Sequence, residues 1–118
     1  MSEILYNELP LQHFNRNALV DIIGDNNHFL NILVKTYFDG FPEYLKKIRL
    51  AILDQNPIAL QKHSHALCGS SKSVFFEIMA HLCIKLENID ISNNILTKEL
   101  IEEIENEYQI LKEMFELD

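Results

Sequence analysis

Tryptophan is absent from this 118-residue sequence, and glycine and proline occur only three times each. Such sparse punctuation argues against an all-β sandwich, which needs a turn every few residues. Cysteine occurs twice, as Cys68 and Cys83. The pair matches no zinc-finger spacing, and both thiols are expected to be reduced. No apolar run approaches the ~20 residues that span a bilayer. The opening MSEILYNELP lacks the basic region and apolar run of a signal peptide, so a cytoplasmic chain without membrane insertion is expected. Positive charge is scarce: 10 Lys and Arg stand against 18 Asp and Glu, a net charge of -8. That balance argues against nucleic acid as a partner, and against an anionic membrane surface. There is no Gly-rich nucleotide loop and no pair of adjacent glycines, so no ATP site is expected.

What is present is helical. Apolar residues make up 47% of the chain, an ordinary globular share. One domain over residues 1–118 is expected, large enough to be stable without metals or disulfides. Leu11, Phe14, Leu19, Ile22 and Ile23 suggest a short first helix ending at Gly24, and Asp25 is positioned to cap the next. That second helix carries Phe29, Ile32, Leu33, Tyr37 and Phe38 on one side. Gly40 and Pro42 interrupt the pattern, so Pro42 either kinks a long helix or starts a new one. The pattern resumes through Tyr44, Leu45, Ile48, Leu50, Ile52 and Leu53. Asn56-Pro57 is a start signal, a cap followed by proline at the first helical position. The helix it opens runs to about Val74, with a bend near Phe75 before the apolar pattern continues to Leu86. Asp90 to Asn94 reads as a loop. Thr97 is a candidate cap for a last helix with the stripe Leu100, Ile101, Ile104, Tyr108, Leu111 and Phe115. The expectation is an all-α, antiparallel up-down four-helix bundle with a short additional N-terminal helix.

The densest chemistry lies in His63-Ser64-His65-Ala66-Leu67-Cys68-Gly69-Ser70-Ser71-Lys72-Ser73. A helix turns about 100° per residue. With Leu60 at zero, Leu67, Ser71, Ser64 and Val74 all fall within about 40° of it and form a buried stripe, in which the serines permit close helix approach. His63 falls at about -60°, on the shoulder of the core, and His65 at about 140°, pointing away. Lys72 and Gly69 share the face of His65, Gln61 and Lys62 flank it, and Cys68 sits between that face and the core. Glycine costs a helix interior about 1 kcal/mol relative to alanine. Gly69, one turn beyond His65, clears space beside the imidazole. Lys72, two turns beyond, places a cation on the same face.

These residues resemble a known family. His65-Ala66-Leu67-Cys68-Gly69-Ser70-Ser71 is similar to the His-x-Leu-Lys-Gly-Ser-Ser motif of histidine-containing phosphotransfer (HPt) domains. The likeness extends to the Gly24-Asp25 step, the aromatic Tyr37-Phe38 in a long helix, and Leu86-Glu87 near the end of the helix after the motif. The resemblance implies a four-helix bundle with His65 as exposed phospho-acceptor. It also implies phosphorelay partners, response-regulator receiver domains or a hybrid sensor kinase, with this chain a stand-alone carrier or one module of a larger sensor. A receiver aspartate donates the phosphoryl group and another takes it onward. It implies a carrier and not an enzyme, with no cofactor of its own and Mg²⁺ only in the receiver. The family often places a polar side chain twenty-two residues on against the histidine's other nitrogen; here that is Glu87, which would fix the tautomer. Gln61, Lys62, His65, Cys68, Gly69 and Lys72 form the expected partner surface, on a protein expected to be a monomer.

Two positions depart from the family. Its lysine three residues after the histidine is Cys68, and its glycine ten residues after is Phe75. Lys72 is the candidate substitute cation. The alternative is a receiver-docking module that has lost efficient transfer. A metal site is the weaker rival, because His65 and Cys68 are three apart while His81 and Cys83, two apart, project to different sides of a helix. A Cys68–His65 nucleophile pair lacks any arranged oxyanion hole or substrate pocket.

Overall fold

The computed structural model describes residues 10–115. The fold is all-α, with no strand among these residues: α1 Arg16–Ile23, α2 Asn27–Leu53, α3 Pro57–Ser73, α4 Glu77–Glu87 and α5 Asn94–Met114. α2 to α5 form the bundle and α1 is the short addition at its N-terminal end. Around the bundle α2 neighbours α3, α3 neighbours α4 and α4 neighbours α5. The α3–α4 seam and the α2–α5 seam are therefore opposite each other.

Asparagine caps four of the five helices. Asn15, Asn26, Asn56 and Asn93 each accept from a backbone N–H three residues on, at 3.0–3.1 Å. An Asx side chain satisfies one of the donors orphaned at each helix start. The caps at Asn26 and Asn93 correct the expectation of Asp25 and Thr97. Thr97 is instead buried one turn into α5, its hydroxyl donating to the Asn93 carbonyl at 2.8 Å. The core face of α2 is also rotated from the expected one. Phe29 and Ile32 are exposed, and Leu30, Val34, Tyr37, Phe38 and Phe41 are buried. The true stripe runs at i, i+4, i+7, i+8 and i+11, and apolar residues on both faces made it ambiguous. In α1, Leu19 is buried while Ile22 and the preceding Leu11 are exposed.

Pro42 interrupts nothing visible: α2 is one 27-residue helix through it. Proline lacks the N–H that would bond the carbonyl four residues back, that of Phe38. The Tyr108 hydroxyl of α5 donates to that carbonyl at 3.4 Å. Tyr108 also stacks on Phe41 at 3.9 Å between centroids. Phe14, Tyr37, Phe38, Phe76 and Phe115 continue the aromatic core, several in edge-on contact.

The α3–α4 connection is tight. Phe75 N–H donates to the Lys72 carbonyl at 3.1 Å and Phe76 N–H to the Ser71 carbonyl at 3.0 Å. These two bonds make a Schellman turn with Phe75 at the position that usually holds glycine. Its φ is +59°. A side chain in that left-handed region costs about 1–2 kcal/mol. The preceding segment locks the turn: Asn15 N–H donates to the Phe75 carbonyl at 2.9 Å, and Ile78 N–H to the Gln12 carbonyl at 3.1 Å. Glu77 accepts from Gln12 N–H and from the Asn15 amide.

Candidate functional site

The buried stripe of α3 is the one the helical wheel selects. Leu60, Ser64, Leu67, Ser71 and Val74 are all buried. Ser71 donates to the Leu67 carbonyl at 2.8 Å, which spends its only proton. Tyr37 therefore donates to the Ser71 oxygen across the α2–α3 interface, at 2.9 Å. Burial raises the Tyr37 hydroxyl pKa far above its usual range, so it stays protonated. This bond fixes the rotation of α3 against α2, and with it the direction of the opposite face.

On that opposite face stands His65, its side chain 77% exposed. Its Nδ1 lies 2.7 Å from Oε1 of Glu87, at the end of α4. An ionised carboxylate only accepts, so Nδ1–H is the donor. The imidazole lone pair is then left on Nε2, turned toward solvent. The two residues are twenty-two apart. They meet because α3 and α4 run antiparallel from the Phe75 turn. Glu87 is held at 18% exposure, so the acceptor is more fixed than the ring it orients.

The remaining expected site residues divide. Gly69, Gln61, Lys62 and Lys72 are exposed. A Cβ built on Gly69 would meet nothing within 4 Å, so the space beside His65 is open to a partner. Lys72 makes no ion pair with any described residue; it borders a groove with Phe75, Ala80, His81 and Ile84. Cys68 is a correction. It is 3% exposed, in the core rather than at the edge of the face, and cannot offer a partner its thiol. His63 is half-buried beside the stripe. Cys83 is fully buried while His81 is exposed, and no three potential ligands converge on a metal site among the described residues. Burial pushes the Cys83 thiol up to about 12, with Cys68 and Glu87 nearby adding to the shift, so it is no thiolate nucleophile.

One histidine–carboxylate pair is not predictable from the sequence. His13 Nδ1 contacts both oxygens of Glu107 at 2.7 and 2.9 Å, across 94 residues. Glu107 interrupts the apolar stripe of α5 and is nevertheless buried. An acidic residue at a core position was the available hint, but it names no partner. Across the bundle from His65, a groove of about 400 Å³ between α2 and α5 is crossed by the Arg49–Glu105 pair at 2.6 Å. It brings no further histidine or cysteine together.

The Hpt domain profile matches residues 32–114, which takes in α3, α4 and both members of the His65–Glu87 pair. The chain belongs to the Hpt family, and its role is histidine phosphotransfer in a phosphorelay. Among solved structures, it is similar to the crystal structure of histidine-containing phosphotransfer protein B (HptB) from Pseudomonas aeruginosa PAO1. The TM-score is 0.76 at 22% sequence identity, covering 91% of this chain and 94% of that one. That likeness carries the fold, including the helix before the bundle. A sequence search of curated proteins finds no match. No described helix is long and apolar enough to cross a membrane.

Proposed function

We propose that His65 is the phospho-acceptor, taking a phosphoryl group from a receiver-domain aspartate and passing it to the aspartate of another receiver. The observation that carries this is the His65–Glu87 hydrogen bond on an otherwise solvent-facing ring. With Nδ1–H committed to Glu87, the Nε2 lone pair attacks phosphorus in line. The Nε2–P bond forms, the acyl P–O bond breaks, and the donor leaves as a carboxylate. The proton stays on Nδ1 throughout, and its positive charge is met by Glu87. Onward transfer reverses these steps. A receiver aspartate attacks phosphorus, the Nε2–P bond breaks, and the ring departs as neutral imidazole because Nδ1 kept its proton. The carrier contributes position and electrostatics and needs no cofactor, while the receiver supplies Mg²⁺ for the phosphoryl oxygens. Gly69 leaves room for the phosphoryl group, and Lys72 supplies the cation that the family lysine would have placed one turn from the histidine. The chain works in this reading as a cytoplasmic, monomeric carrier, charged by a response-regulator receiver or by a hybrid sensor kinase.

A second reading rests on Cys68. With the family lysine replaced by this buried cysteine, no cation follows His65 by one turn, which favours a module that docks receivers without transfer. Incubation with a panel of phosphorylated receivers separates the two. Acid-labile, base-stable label on the parent and none on His65→Gln supports the carrier. Binding without label supports the docking module.

A further inference from the structure

We infer that Phe75 is a specificity residue for the receiver: it shapes a groove that takes an apolar side chain of that partner. The inference rests on His65 being the phospho-acceptor. Phe75 is held at φ +59°, and it is partly buried, packed against the edge of the core. Glycine would make the same two Schellman bonds and the same bond to Asn15 without strain, since all three use only the backbone. The turn therefore does not require this side chain. Strain that the fold does not need marks a candidate for function.

Phe75 lines a groove of about 420 Å³ with Leu11, Lys72, Glu77, Ala80, His81 and Ile84. The groove continues the face of His65. Lys72 lies two helical turns along α3 from His65, about 10 Å, and Ile84 one turn along α4 from Glu87. A standard interface buries about 800 Å² per partner, a patch of roughly 16 Å radius. Any receiver whose aspartate reaches Nε2 must centre its footprint near His65, so the groove falls inside it. The lining is mostly apolar, with Lys72, Glu77 and His81 as its polar groups, and the Glu77 carboxylate is already engaged by Gln12 N–H and the Asn15 amide. That lining complements an apolar knob.

The test compares Phe75→Gly and Phe75→Asn, both at home in the left-handed region, with the parent protein. Phosphoramidate, a small N–P donor that loses ammonia as it phosphorylates imidazole, labels His65 without a receiver. Labelling by phosphoramidate is expected to be unchanged in both variants. With a receiver that charges the parent, KM is expected to rise about tenfold while kcat changes by less than about threefold. Unchanged KM in both folded variants overturns the inference and leaves Phe75 as packing. Loss of thermal stability without a change in KM also overturns it, and assigns the Phe75 ring to packing against the core. If phosphoramidate labels the parent but no receiver charges it, the partner assignment fails while the reactive histidine stands. No label from either donor brings down the His65 reading, and this inference with it.

Discussion

Among the described residues, two histidine–carboxylate pairs share a bond length and differ in exposure. His65–Glu87 and His13–Glu107 each place Nδ1 2.7 Å from a carboxylate oxygen. In the first the histidine is 77% exposed and its acceptor 18%; in the second the values are 42% and 5%. His13 engages both oxygens of a buried acid and ties the segment before α1 to the last helix. His65 engages one oxygen of a rim acid and leaves its far nitrogen in solvent. Bond length therefore does not distinguish the buried pair from the pair proposed to react. Exposure does: 77% of the His65 side chain is open to solvent against 42% of His13.

Breaking the pairs should separate stability from chemistry. His65→Gln should abolish phosphorylation altogether while leaving the melting temperature within a degree or two, because an exposed side chain contributes little to folding. His13→Ala should do the reverse. It leaves a buried carboxylate without its partner, a loss of about 1–3 kcal/mol. Thermal melting should register a fall of several degrees, with full labelling of His65 at temperatures where the variant is folded. Glu87→Ala should cost about tenfold in transfer rate by releasing the ring to either tautomer, with Glu87→Gln recovering most of it because an amide oxygen still accepts. Nitrogen-15 chemical shifts of His65 report the tautomer directly; a parent ring not protonated at Nδ1 would sink this account. Gly69→Ala sharpens the contrast at the smallest scale. The added methyl meets nothing in the free protein, so helix propensity should raise stability by about 1 kcal/mol while receiver-dependent transfer slows. Faster or unchanged transfer would show that the space beside His65 is not used.

How much of this was legible in the sequence depends on how local each feature is. The outward direction of His65 follows from spacing within one helix, where Leu60, Ser64, Leu67 and Ser71 leave a single choice of buried face. The partnership with Glu87 came from family resemblance, since no periodicity links two residues on different helices. The α2 face was misread because Phe29 and Ile32 are as apolar as Leu30 and Val34, and only packing chooses between them. The caps moved by one residue at Asn26 and by four at Asn93, because Asp25 and Thr97 are equally good capping types. Cys68 looked marginal on the wheel, and its burial is decided by how closely α4 approaches α3. His13–Glu107 was beyond reach: a histidine before the first helix and an acid in the last share no local pattern.

The bond from Tyr108 to the Phe38 carbonyl bears on cooperativity. A long helix with proline at its centre has an incomplete ladder of its own, so α2 alone carries a built-in weak point. Its missing donor arrives from a side chain 70 residues later in sequence. The helix that positions the phosphotransfer face through Tyr37 is thus completed only when the end of the chain has docked. Opening of α5 from the bundle therefore loosens α2 at Pro42, and through it the orientation of His65. Order in this small carrier is a property of the whole bundle rather than of any helix within it.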